Sequence, residues 1–536
     1  MSDNSNPSAE QAAAFQKIWL DSISKTMQTL FTFRPDALPP DVARQLRSGI
    51  LQALAKSWEE FMRSPQFLEG MKQWMDNAVT FRKMSNDFMA SVRNEMQATF
   101  RADIDTIMLT VRHMEKRILD QVEDLSAQVA DLRQRLGASP PQRSCGPISE
   151  PDATAAPEAA QTATGAHSEA LMNSGTSSTN PWLQWQRAAF DETLAAAGRM
   201  SHSPMLLEKA RRIRKGVIPS EPVYEEDRLK LRHFQGNGKP KYRTPLAFIY
   251  ALVNRPYILD LKQGRSVVAH FVERCFDTYL VDWGARLNAD RHLDLDDYIN
   301  GYMVNVMDFL RERTGVDKVN VLGYCMGGTM SAMFAALHPD GVKNLMLLAA
   351  AIGFSSSDGL LNVWTRPEYF DVDQFVGAFG NCPPQFLQSI FLLLRPVGNL
   401  IEKPINFYEH MHEEKVLNDF LTTESWLNDN IPVPGEVYRQ FVKYLYQQNL
   451  LTQNRMPVGR HIVNLKHITC PVLNIMAGQG GLVPCSQGTP FTDLVGSKDR
   501  KTILLQGSGH VGLAIGGRAQ HEVWPQACDW LAKHTN

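Results

Sequence analysis

The run Lys318-Val-Asn-Val-Leu322, continued by Gly323-Tyr-Cys-Met-Gly-Gly328 and by the small and apolar stretch Thr329 to Leu337, leaves this chain few folds to choose from. It reads as strand, sharp turn and helix. Such a turn holds its central residue in a strained conformation, and glycines on either side let neighbouring backbones approach. The central residue, Cys325, is then left at the tip of a sheet. This is a nucleophile elbow with cysteine where serine is commoner.

The surrounding pattern agrees with that reading. Apolar runs at Leu246 to Val253, Thr278 to Val281, Val319 to Leu322, Asn344 to Ala350, Val472 to Met476 and Thr502 to Leu505 alternate with helix-length amphipathic stretches such as Leu295 to Thr314. Alternation of this kind predicts a mostly parallel sheet covered on both faces, an α/β-hydrolase fold. From Ser355 to about Thr469 the alternation stops, and a helical, aromatic-rich segment too long for a loop takes its place. An inserted cap is expected there.

The 536 residues divide at a composition break. Between Gly137 and Asn180, 30 of 44 residues are Gly, Ala, Ser, Thr or Pro and none is aromatic, which predicts a flexible linker. Residues 1–136 read as a helical association region and 181–536 as the α/β domain. In the first region Ile50, Leu51, Leu54, Trp58, Phe61 and Met62 recur at helical spacing. From Ile104 to Leu136 a heptad-like series with one stutter, Met114–Ile118–Val122, favours a helix that pairs with another helix or chain over one that packs only on its own domain.

With 55 basic against 57 acidic residues the net charge is −2, so no general basic field exists to hold nucleic acid. No apolar run approaches the roughly 20 residues that span a bilayer, and Met1 to Gln11 lacks an export-signal pattern. A cytoplasmic protein without a transmembrane segment is expected. Seven scattered cysteines with no C-x-x-C pair argue against zinc or redox exchange, and no metal is expected.

A thiol nucleophile needs a base, which in this fold follows the last strand of the sheet. His510, in Ser508-Gly-His-Val-Gly512 after the strand near Thr502 to Leu505, occupies that place. The oxyanion hole should combine the backbone N–H of Met326 with one from Val253 or Asn254.

These motifs, with Tyr250-Ala-Leu-Val-Asn-Arg-Pro-Tyr-Ile-Leu-Asp-Leu261, Val281-Asp-Trp-Gly284 and Leu295-Asp-Asp-Tyr-Ile-Asn-Gly-Tyr302, closely resemble the polyhydroxyalkanoate synthases, specifically the catalytic subunit of the two-subunit type. The resemblance covers nearly all of Pro181 to Leu531. More weakly, the N-terminal region resembles the small subunit of such synthases, as in a fusion. The resemblance implies an acyltransferase in which Cys325 is acylated by an (R)-3-hydroxyacyl-CoA, short-chain 3-hydroxybutyryl-CoA being the expectation, CoA leaves, and a hydroxyl attacks the thioester to lengthen a polyester. No cofactor is implied, because the CoA thioester is the substrate. The implied partners are the growing polyester, the granule surface and further copies of the chain.

One position departs from the family. Its catalytic acid falls in A-x-x-D-x-L-V-P, and Ala477-Gly-Gln-Gly-Gly-Leu-Val-Pro484 has Gly480 there. Asp358, after the strand near Asn344 to Ala350, is a substitute acid by analogy with some α/β-hydrolases, and it would serve equally as a helix N-cap. Asp282 and Trp283, at the carboxyl end of a strand, either line the substrate pocket or pack beneath it. Asp294, Asp296 and Asp297 fit the start of a helix better than a cation site. Two other functions stay open: a thioesterase or esterase on the same fold, and a weakened, granule-bound scaffold motivated by Gly480.

Overall fold

The computed structural model describes residues 40–91, 216–236, 238–410 and 413–535. It divides into one compact unit, Met1–Met84 with Leu207–Asn536, and a second, Ser85–Leu206, of which only 85–91 are described, as helix. The heptad series from Ile104, the linker and the expected domain start at 181 lie outside the described residues.

The first unit is built on an eight-stranded sheet. Its strands are β1 (Ser220–Glu226), β2 (Leu229–Phe234), β3 (Leu246–Ile249), β4 (Thr278–Asp282), β5 (Val319–Tyr324), β6 (Val342–Leu348), β7 (Val472–Ala477) and β8 (Arg500–Leu505), in the spatial order β1-β2-β4-β3-β5-β6-β7-β8. From β4 onward every pairing is parallel, while β2 runs antiparallel to both β1 and β4. Each of the six expected apolar runs forms one of these strands. The β1–β2 hairpin carries Glu, Lys and Arg on a half-exposed edge, so its apolar signal is diluted by charge.

Central β3 and β5 are buried along their whole length, as a strand covered on both faces must be. The helix Met326–Leu337 after β5 is buried from Met326 through Ala336, which explains its uniformly small and apolar sequence. The expected helix Leu295 to Thr314 is a π-turn, Asp297–Tyr302, running into an α-helix, Met303–Thr314, that ends on Gly315 at φ 66°. Asp294 caps its start: one carboxylate oxygen accepts from the N–H groups of Asp296 and Asp297 at 2.8 and 3.1 Å.

Between β6 and β7 lies the cap, a set of helices that includes Leu360–Trp364, Val372–Phe379, Pro384–Leu393 and Glu414–Leu427. On it rest the helix Pro40–Met62 and the helical residues 65–84. Trp364 Nε1 donates to the carbonyl of Met62 at 3.1 Å, and the Arg63 guanidinium donates to the carbonyls of Ser357 and Asp358. Met62 and Leu68 share an apolar cluster with Leu360, Val363 and Trp364. Of the expected association region 1–136, the described helices up to Met84 belong to the same compact unit as the sheet and bury an apolar face against the cap.

Candidate active site

Three glycines fix the elbow by close approach. A Cβ on Gly327 would fall against the carbonyl oxygens of Ile249 and Tyr250, one on Gly328 would meet Ala350, and one on Gly323 would meet the backbone of Gly328. Between them Cys325 holds φ 57° and ψ −126°, a conformation that costs an ordinary residue of order 1–3 kcal/mol. Its N–H donates to Leu348 on the adjacent strand at 2.9 Å, and its carbonyl accepts from Gly328 and Thr329 to start the helix. The side chain is thereby held off both strand and helix.

Cys325 opens onto a cavity of about 140 Å³ whose walls are almost wholly apolar. Burial pushes its thiol up to about 11, partly opposed by the Met326 N–H beside the sulfur. Met326 and Val253, the expected oxyanion pair, line the same cavity as Cys325. Asn254 does not line it; its side chain accepts from the Tyr250 hydroxyl at 2.8 Å.

His510 lies in the turn after β8, and its ring stacks on Tyr324, the residue before the nucleophile, with centroids 5.1 Å apart and planes at 24°. Burial without a charged neighbour pushes the imidazole down to about 4. Its Nδ1 is buried and has no hydrogen-bond partner among the described residues. In a triad that nitrogen would donate to the acid.

The acid is absent from that place for a geometric as well as a chemical reason. A Cβ on Gly480 would run into the carbonyl oxygen of Val483, so the loop has closed over the space a side chain would need. Asp358 does not replace it. That residue is exposed, its carboxyl held below the usual range chiefly by the Ser356 hydroxyl, while its own carbonyl receives Arg63. Asp358 makes no hydrogen bond to Nδ1 of His510, and the N-terminal helices contact its loop through Arg63.

Asp282 and Trp283 also fall outside the cavity. The Asp282 carboxylate accepts from the Gly284 N–H at 3.1 Å, and Trp283 is buried with its Nε1 on the Tyr250 carbonyl at 2.9 Å. Trp283 packs beneath the site and holds the end of β3, whose carbonyls press on Gly327. Among the aromatics in the cap, Phe386, Phe391, Tyr438, Phe441 and Tyr446 line the cavity, and Tyr444 does not. Sequence reasoning also missed Trp364, Phe370, Met71 and Met75. Only apolar periodicity marks these residues, and periodicity does not distinguish a cavity wall from a packed core.

A family model of the alpha/beta hydrolase fold matches residues 259–516. A poly(3-hydroxyalkanoate) polymerase subunit PhaC of Haloferax mediterranei is 41% identical over 355 residues, 66% of this chain and 70% of the relative. The same-named subunit of Allochromatium vinosum is 41% identical over 327 residues, covering 61% of this chain and 91% of its own length. The chain belongs to the poly(3-hydroxyalkanoate) polymerase family. Membership makes it an acyltransferase on a hydrolase fold. Among solved structures, a putative non-heme bromoperoxidase, BpoC, from Mycobacterium tuberculosis aligns over 59% of this chain and 97% of its own, at 14% identity and a TM-score of 0.36. No helix among the described residues is long and apolar enough to cross a membrane.

Proposed function

We propose that this chain polymerises (R)-3-hydroxyacyl-CoA thioesters through a thioester on Cys325, with His510 as the only base. The observation that carries this reading is a cysteine held at the elbow tip and opening onto an apolar cavity. In the first step the Cys325 proton passes to His510 and Sγ attacks the thioester carbonyl. The oxyanion is met by the Met326 N–H with a second donor at Val253, and the CoA sulfur leaves with the proton from His510. Exchange of one thioester for another is nearly isoenergetic, so the acyl group stays activated. In the second step a hydroxyl gives its proton to His510, attacks the acyl–cysteine carbonyl and forms an ester, and the Cys325 thiol is regenerated. Apolar walls favour this alcohol over water.

Both groups start neutral, because burial raises the thiol and lowers the imidazole. Proton transfer therefore accompanies attack rather than preceding it, and it requires the imidazole to come within hydrogen-bond reach of Sγ. Stacking on Tyr324 orients the ring where the family uses a carboxylate. Association with the polymer surface in the cytoplasm and self-association through the heptad region belong to the same proposal.

The test is to incubate purified protein with 3-hydroxybutyryl-CoA and follow CoA release together with turbidity. Wild type should give both, and folded Cys325→Ala neither. CoA release with free acid and no polymer would instead mark a hydrolase. A folded wild type that releases no CoA would mark a scaffold, the outcome that the unpartnered Nδ1 makes worth testing.

A further inference from the structure

We infer that the N-terminal helix 65–84 is a wall of the acyl pocket and that Met71 and Met75 limit the length of the acyl side chain; this rests on the polymerase reading above. The two methionines are one helical turn apart and therefore share a face. Both line the cavity that holds Cys325, opposite in chain position to the cap residues Phe386 and Ile390 that line it with them. The same face continues into buried Val79, whereas Trp74, at 59% exposure, looks away.

The helix is not free to slide out of this wall. Its start is tied to the cap by Arg63 on the carbonyls of Ser357 and Asp358 and by Trp364 on Met62, and farther along the Arg82 guanidinium lies 5.9 Å from the centre of the Phe379 ring. A cavity near 140 Å³ is small. One of roughly 150 Å³ holds a benzene ring, so a four-carbon acyl unit fits and longer side chains need further room. Methionine is unbranched and adaptable, which suits a wall that must close on one chain length yet let an ester product pass.

The experiment uses the full-length chain. In Met71→Ala/Met75→Ala the ratio of kcat/KM for 3-hydroxyhexanoyl-CoA over 3-hydroxybutyryl-CoA should rise by about tenfold or more, since single methylenes in a pocket are worth roughly 10- to 200-fold. Trp74→Ala, on the outer face of the same helix, should leave the ratio unchanged. Independently of turnover, hexyl methanethiosulfonate should modify Cys325 faster relative to the methyl reagent in the double variant than in wild type, after subtraction of the Cys325→Ala background. If the double variant does not fold, half-buried Met71→Ala alone should shift both ratios the same way. Unchanged ratios in a folded variant would overturn the inference. A wild type that releases no CoA would overturn the polymerase reading instead, while the labelling comparison would still decide whether these methionines wall the pocket.

Discussion

The elbow at Gly323–Gly328 and the loop at Ala477–Pro484 both carry glycines with no room for a Cβ, yet they do opposite things for catalysis. At the elbow the missing side chains let strand, helix and neighbouring carbonyls close on Cys325 and force its strained geometry at the cavity wall. In the loop Gly480 stands where the resemblance implies an acid, and the backbone closes against Val483 where a side chain would sit. One half of the catalytic apparatus is over-determined by packing. Under the proposed mechanism the other half rests on the stacking of His510 on Tyr324.

Breaking the over-determined half should have the largest effect. Gly327→Ala drives a methyl into two backbone carbonyls, and overpacking of this kind costs about 1–3 kcal/mol or more. We expect a clear loss of stability in urea unfolding and a fall in CoA release beyond what the unfolded fraction explains. Wild-type behaviour would mean that the elbow is looser than its contacts imply.

The pH profile sharpens the same contrast. With His510 held down to about 4 by burial and Cys325 raised to about 11, kcat/KM should be flat from about pH 5 to 10. A limb near the ordinary histidine value of about 6.5 would show that an anion reaches the ring. The sign for stability follows from the depressed value. As pH falls from about 6.5 the unfolded histidine binds its proton first, so His510 progressively lowers stability until about pH 4, and His510→Gln should flatten that part of the curve.

The sequence was most informative where local chemistry and tertiary demand coincide. Apolar runs bounded by turns became β3 to β8, and the glycines around Cys325 announced a close approach that only a sheet and helix together can use. The position of His510 after the last strand and beside Tyr324 was legible because its loop follows that strand. Asp358 was offered by strand order alone, which does not say that its loop would be exposed and held by Ser356 and Arg63. The docking of residues 40–84 was hidden behind a composition break more than fifty residues farther on. Nothing in the spacing of Met71 and Met75 says which apolar surface will receive them.

Restoring an acid should have a smaller effect than breaking the elbow. Gly480→Asp puts a side chain where the Val483 carbonyl sits, so we expect a modest loss of stability and no gain in CoA release. A severalfold gain would show that the loop reopens at low cost and that His510 accepts a carboxylate. Smallest of all should be Asp358→Asn, whose steady-state CoA release should stay within about twofold of wild type, as for an exposed substitution away from the site. A loss of an order of magnitude would return Asp358 to the catalytic group.

The central claim is that acyl groups pass through Cys325 without a carboxylate behind His510. Rapid mixing of the full-length protein with 3-hydroxybutyryl-CoA, acid quenching and peptide mass mapping tests it most directly. A 3-hydroxybutyryl thioester should form on the peptide that contains Cys325, at the rate of the CoA burst, in wild type and in Asp358→Asn alike. CoA release with that peptide unmodified, or acylation that disappears in Asp358→Asn, would contradict it.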